Sequence, residues 1–216
     1  MIWIPAPRES EEFVLEEITR EDVPEWYHVY SLDPHPNTAS SFAMGWGDTR
    51  FAPLKQPDAT PVHTYYAAST FNCAIMESVF HDVPLNPAGS FDLDRLDSYR
   101  IARIAFEDPI HCVSFHSPYL PALGLERHRL IESLPAFYPQ TRQWAQAAFD
   151  QRPEAQGIAY GSRRHDAGRC IMLFGQRIPG YPDKPFNIIE HFSLAELPAR
   201  SKVVKLAASL RLEWSE

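Results

Sequence analysis

Cysteine is scarce. Cys73, Cys112 and Cys170 are the three in 216 residues, odd in number, far apart and without a CxxC pair. That excludes a disulfide scaffold or a structural zinc site as the organising device and makes a reducing cytoplasm the expected compartment. Long hydrophobic runs are missing too. None approaches the roughly 20 residues needed to cross a bilayer, and MIWIPAPRESEE at the N-terminus turns acidic before any apolar core of a secretory signal. No membrane partner is expected. Positive charge is in deficit, with 20 Lys+Arg against 28 Asp+Glu and a formal net charge of -8. A protein that coats nucleic acid or anionic lipid needs the opposite balance. The chain also lacks a GxxxxGK[ST] phosphate loop, a GxSxG elbow, HExxH, an HxE…CxxC pattern, any internal repeat and any low-complexity block. Acyl-transfer hydrolysis and zinc chemistry therefore have no motif to stand on. Its nine histidines do not change this: His111 and His116 are five apart, His63, His81, His165 and His191 are scattered, and no metal is expected.

Proline is abundant: 20 residues, about 9 % against a usual share near 5 %. These prolines are dispersed, so they punctuate loops between short elements and do not mark a linker. With 44 % hydrophobic and 22 % charged residues, the composition suits one well-packed domain. The expected fold class is α+β, a single domain with a small mixed sheet and flanking helices. Ser10 and the acidic stretch 9–19, with Phe13, Val14 and Ile18 apolar, predict a first helix. Residues 31–48 read as loop. The run 62–67 is β-branched and aromatic, hence a strand, and Ser69 or Thr70 caps a helix expected from Phe71 to about His81. Strands are expected at 99–106 and 110–115, a helix at 141–151, and strands at 157–161 and 170–175 around the polar turn 162–168. Residues 202–212 suit a helix or a strand equally.

Candidate chemistry sits in four places. On the expected helix, Phe71, Ala74, Ile75, Ser78 and Val79 form an apolar face, and Glu77 has Cys73, Met76 and Phe80 as neighbours. A carboxylate in such surroundings is costly to bury without a partner; it is either a rim residue paired with an arginine or a catalytic group in a cleft. Arg50 follows Gly45-Trp46-Gly47-Asp48-Thr49 and is either a solvated loop residue or an anion contact. Tyr65 and Tyr66 are successive strand residues, so one faces the core and the other a cleft. Ser162, in Ala159-Tyr160-Gly161-Ser162-Arg163-Arg164, is either a turn former or part of an anion site. Cys73 has an apolar setting that disfavours the thiolate.

Taken in order, Arg50, then Tyr66-Ala-Ala-Ser-Thr-Phe-Asn-Cys-Ala-Ile-Met-Glu77, then Gly157-Ile-Ala-Tyr160-Gly-Ser162-Arg163, then Gly168-Arg-Cys-Ile-Met-Leu-Phe174 resembles the RES-domain family. That resemblance covers roughly residues 50–174. It implies a fold similar to the ADP-ribosyltransferases, cleavage of the nicotinamide–ribose bond of NAD, and the toxin half of a pair with an Xre-type helix-turn-helix antitoxin. It makes Glu77, Arg50 and Ser162 the catalytic set, NAD a substrate with no prosthetic group, and Arg50, Tyr65, Tyr66, Ser162, Arg163 and Arg164 the residues around it. Two departures stand out: Cys170 occupies a frequent asparagine position, and residues 1–45 read as an N-terminal extension packed on a catalytic domain of residues 46–216.

The residue chemistry suits that task. NAD carries two negative charges on its diphosphate, so an acidic protein needs local cations, and Arg50 with Arg163 or Arg164 offers a forked contact. A carboxylate at Glu77 stabilises a sugar cation or activates the incoming water or phosphate. Tyr66 stacks on nicotinamide or ribose, and Ser162 binds the substrate and orients Glu77. Two alternatives remain open: transfer of ADP-ribose to a macromolecule, and an NAD-binding module without turnover.

Overall fold

The central strands of this chain are buried on both sides, and their alternation divides the core in two. The computed structural model describes residues 4–34 and 36–215; the first three residues of the expected N-terminal extension, His35 and Glu216 lie outside the described residues. In chain order the strands are β1 (Leu15–Ile18), β2 (Trp26–Ser31), β3 (Leu54–Lys55), β4 (Pro61–Val62), β5 (Thr64–Ala68), β6 (Ser90–Asp92), β7 (Tyr99–Ala105), β8 (Ile110–Ser114), β9 (Gly157–Gly161), β10 (Arg169–Phe174), β11 (Asn187–Ser193) and β12 (Glu213–Ser215). Eight of them form one sheet in the order β1-β8-β9-β10-β5-β2-β7-β11. The sheet is mixed: β8 and β9 run parallel, joined by a long crossover through the helices α2 (Arg127–Leu130) and α3 (Tyr138–Gln151), while its other pairings are antiparallel.

On one face Ala68, Ile101, Val113, Ile158, Met172 and Phe174 pack against α1 (Phe71–Met76), α3 and α4 (Ala199–Ser209). Their strand neighbours Tyr65, Ala67, Ala102, Ile104, Cys112, Ala159, Ile171 and Leu173 point the other way, under Phe42, Phe106, Ile178 and Phe186 from loops. This is the period-2 pattern of a strand read from both sides. The fold is thus α+β, with a helical layer on one face and an aromatic loop layer on the other.

The sheet is larger than the small one expected, because residues ahead of position 45 contribute two of its strands. β2 lies in its interior, registered against β7 from Trp26↔Ile104 to Ser31↔Tyr99. Instead of the helix expected over 9–19, Leu15–Ile18 forms β1 on the edge of β8. Its acidic pattern mimics a helix start, but Glu16 is drawn into the sheet by Arg169, whose Nη2 donates to Oε2 at 2.8 Å; tertiary pairing overrides local propensity. The helix expected over 71–81 also stops early. Thr70 caps it, its side chain accepting from the Cys73 N–H, and α1 ends at Met76, with turns continuing to Val83. The undecided C-terminal stretch folds as α4, burying Ala199, Val203 and Ala207.

β2 and β5 diverge. Their register is a single pair, Tyr27↔Ala68, and a side chain bridges the gap: His28 Nδ1 lies 2.6 Å from the Tyr66 carbonyl oxygen. Its ring stacks on Tyr65 with centroids 4.0 Å apart. Burial lowers the His28 pKa from 6.5 to about 4, so the ring is neutral near pH 7 and its Nδ1–H donates to the carbonyl.

Two outcomes follow from this packing. A Cβ on Gly157 would stand 2.4 Å from the Met172 carbonyl oxygen, backbone that cannot yield, so Gly157→Ala is expected to lower unfolding free energy by about 1–3 kcal/mol in denaturant titration. The unfolded chain takes up a proton at His28 near pH 6.5 while the folded chain resists until about 4. His28 therefore withdraws stability as pH falls through that window and none above it. Tm measured from pH 7.5 to 4 should fall more steeply for the wild type than for His28→Phe.

Candidate active site

Where β2 and β5 part, a cavity of about 540 Å³ opens on the helical side of the sheet, lined by Tyr27 and Val29 from one strand and Tyr66 and Ala68 from the other. Arg50 and Glu77 line it as well. Arg50 is held from behind. Thr49 and Ala52 close a turn around it, and Thr141 Oγ1 of α3 donates to its carbonyl oxygen at 2.5 Å. Its guanidinium lies 5.6 Å from the Tyr138 ring centre and 6.0 Å from that of Phe51, within cation–π range. Arg50 is only 6 % exposed, yet its Nε and Nη2 have no hydrogen-bond acceptor among the described residues. A buried, unpaired charge is expensive. Those two nitrogens form the side-on edge of the guanidinium, the edge that grips two oxygens of a phosphate or carboxylate at once.

Glu77 caps the C-terminus of α1, its N–H donating to Cys73 O at 2.9 Å. A helix C-terminus is a poor place for a carboxylate, since it carries partial negative charge. Donors from another part of the chain offset this. Ser162 Oγ donates to Glu77 Oε1 at 2.5 Å and the Arg164 N–H donates to the same oxygen at 3.2 Å. Oε2 has no donor among the described residues, and Glu77 faces the cavity.

Ser162 itself is fully buried and outside the cavity lining. Its Oγ accepts from the N–H groups of Arg164 at 3.1 Å and His165 at 2.8 Å, which folds the turn between β9 and β10. Its carbonyl accepts from Arg127 Nη2 at 2.6 Å. The turn-forming and the carboxylate-orienting readings of this serine are therefore both satisfied by one hydroxyl. A direct contact with a ligand is not.

The two tyrosines separate as strand alternation requires. Tyr66 lines the cavity and donates to or accepts from Thr49 Oγ1 at 2.7 Å through its hydroxyl; burial pushes its pKa up. Tyr65 points to the opposite face, where its hydroxyl donates to Ala39 O at 2.9 Å among Phe42, Phe186 and His28. The expected contact between Tyr65 and a ligand is thus corrected: the sheet lies between them. The two arginines after Ser162 also fall elsewhere. Arg163 is half-buried and does not line the cavity. Arg164 turns away from it, Nη1 donating to His81 O at 2.8 Å and Nη2 to Val83 O. Among the described residues Arg50 is the arginine of the cavity lining, while Arg142, from α3, pairs at 2.5 Å with Asp48 of that lining.

Several contributors were invisible in the sequence. Tyr138 stacks on Arg50 from 88 positions away, Thr49 fixes Tyr66, and Arg127 props the Ser162 turn; no spacing rule links such distant residues. Cys170 lines the cavity, with its sulfur 3.7 Å from that of Cys73. Both are buried and free, and hydrogen bonding to Cys73 together with burial pushes the Cys170 thiol up. Neither reads as a nucleophile. Gly168 makes room for the pair, since a Cβ there would stand 2.3 Å from Cys73 Sγ. Among the described residues no cluster of three or more His, Cys, Asp and Glu is arranged to hold a metal ion, and no helix is long and apolar enough to cross a membrane.

No curated protein matches this sequence. Among solved structures, a chain in the "Crystal structure of the M.tuberculosis MbcT-MbcA toxin-antitoxin complex" is similar at a TM-score of 0.58 and 16 % identity, over 85 % of this chain and 88 % of that one. At that identity the likeness is one of fold. The family model described as RES domain matches residues 25–195. Since that span runs from β2 to β11 and carries Arg50, Glu77 and the Ser162 turn that orients it, the chain belongs to the RES domain family.

Proposed function

We propose that this protein consumes NAD by breaking the bond between nicotinamide and ribose, and that it is the toxin of a toxin–antitoxin pair. The observation that carries the first part is that Arg50, whose buried Nε and Nη2 have no acceptor among the described residues, lines the same cavity as a carboxylate with one oxygen already fixed. An anionic ligand relieves the Arg50 charge, and a diphosphate matches its two free N–H groups. The cavity, about 540 Å³, lies within the range of small-molecule sites. Its rings, Tyr66 and Tyr138 among them, suit nicotinamide and ribose.

In this reading the diphosphate is held by Arg50 and the nicotinamide end by the aromatic lining. The positively charged nicotinamide departs with the electron pair of the glycosidic bond and becomes neutral, leaving an oxocarbenium-like ribose. Glu77 faces that cation with Oε2, in a setting that needs no reorganisation because Oε1 is already tethered. Water then adds at the same carbon and loses a proton, giving ADP-ribose, or phosphate adds and gives its 1-phosphate. Ser162 contributes by orientation. NAD is a substrate here, no prosthetic group is required, and the cytoplasm supplies it. The antitoxin rests on the fold neighbour, whose title names a toxin–antitoxin complex, and on the resemblance, which points to an Xre-type protein.

Purified protein incubated with NAD, with and without phosphate, is expected to release nicotinamide without any macromolecular acceptor; release only when an acceptor is added would replace this reading with ADP-ribose transfer, and NAD binding without release would leave a binding module. Glu77→Gln keeps a carbonyl oxygen for the Ser162 hydroxyl, so the variant should fold with an unchanged circular dichroism spectrum and lose roughly 100- to 1000-fold in kcat. Arg50→Lys keeps the charge but not the fork and should raise KM for NAD by about tenfold or more with kcat little changed. An unaltered KM would remove Arg50 from the ligand.

A further inference from the structure

The residue two places after Ser162 is doing something other than holding a ligand. Arg164 reaches back from the β9–β10 turn and forks across two carbonyls, His81 O at 2.8 Å and Val83 O, in the turns that follow α1. Its own N–H meanwhile donates to Glu77 Oε1 and Ser162 Oγ. The segment 77–83 is thereby gripped at both ends by one residue: at its first side chain through a peptide N–H, and at its last carbonyls through a guanidinium. Nothing else in that segment is regular. α1 has ended, and the local bonds are single turns such as His81 N–H to Ser78 O at 3.1 Å and Val83 N–H to Phe80 O at 3.1 Å. Phe80 anchors its middle, fully buried and 4.8 Å from the Phe91 ring. The direction of the Glu77 carboxylate then depends on how the turn 162–168 sits against the segment 77–83, and the Arg164 side chain spans them in addition to the Ser162–Glu77 hydrogen bond.

We propose that Arg164 is a positioning residue, which aims Glu77 by tying its segment to the Ser162 turn and does not touch the substrate. Lysine is a poor replacement: an ammonium reaches one of two divergent carbonyls where the planar fork reaches both. Arg127 supports the same turn from the other side through the Ser162 carbonyl, so the turn is braced; the Ser162 hydroxyl ties it to the first residue of the 77–83 segment, and the Arg164 guanidinium ties it to the far end. For its kinetic arm the proposal rests on the NAD-cleaving reading; its structural arm does not.

The experiment compares wild type, Arg164→Lys and Arg164→Met. With NAD, Arg164→Met should lose roughly 10- to 100-fold in kcat, the size expected of a misaimed group, with KM within twofold, and Arg164→Lys should recover part of the loss. In the Glu77→Gln background, NAD affinity by calorimetry should be the same with and without Arg164→Met. A rise in KM or Kd at unchanged kcat would overturn the proposal and return Arg164 to the diphosphate; unchanged kcat and KM would overturn it as well. Amide hydrogen exchange supplies the arm that needs no turnover. Arg164→Lys, which keeps charge and most of the volume, should exchange faster at residues 77–83, with β7 and β8 unaffected. Unchanged protection there would refute the tie even if the wild type fails to cleave NAD, and a wild type that fails to cleave NAD while residues 77–83 lose protection would overturn the NAD reading alone.

Discussion

A short hydrogen bond fixes the central carboxylate of the site. Ser162 Oγ donates to Glu77 Oε1 across a separation of 85 residues, linking the end of α1 to the turn between β9 and β10. Without it, a carboxylate at a helix C-terminus among Cys73, Met76 and Phe80 would be left with the longer bond from the Arg164 N–H. With it, one oxygen is spoken for and the other is offered to the cavity. Around this bond the chain arranges its supports: Thr70 starts α1 in the right place, Gly168 lets the helix approach β10, and Arg127 holds the Ser162 carbonyl. The sheet register Cys170↔Tyr160 and Cys170↔Ala68 keeps β9, β10 and β5 in step, so the turn and the helix arrive on the same face.

Charge is distributed with equal economy. The protein carries a net charge of -8, and three carboxylates, Asp48, Glu77 and Asp82, line the cavity. Against that background Arg50 is shielded from water, and its Nε and Nη2 have no acceptor among the described residues. Thr141 fixes its backbone and Tyr138 its guanidinium, so the cation is preorganised and its field is not dissipated in a salt bridge. An isolated charge of this kind in a low-dielectric site acts far more strongly than one on the surface.

Much of this architecture was legible in the sequence, and the reasons for the exceptions are physical. β5, β7, β8, β9 and β10 carry β-branched and aromatic residues in runs bounded by turn formers, and α3 shows its apolar stripe of Trp144, Ala148 and Phe149. Those patterns are local. β1 defeated the same reasoning because its glutamates look like a helix start until Arg169 supplies a cross-sheet partner, and α1 ends early because its continuation is decided by Phe80 burying itself and Arg164 capturing the carbonyls at 81 and 83. The assignment of arginines failed for a related reason. Arg50, Arg163 and Arg164 are all loop residues, and only the three-dimensional path of the chain separates the one that meets a cavity from the one that meets two carbonyls. Of Tyr65 and Tyr66, alternation foretold that they part company but not which of them faces outward.

The sheet order gives the site a history as well as a shape. Glu77 leaves the ribosome 85 residues ahead of Ser162, a delay of roughly 4–17 s at a synthesis rate of about 5–20 residues per second. In that interval β5 has neither its β10 neighbour nor the turn that holds the carboxylate, and β8 lacks the parallel strand it needs. A nascent chain therefore owns the acidic group before the turn that directs it, which comes with the hairpin of β9 and β10 between β8 and β5, strands made long before.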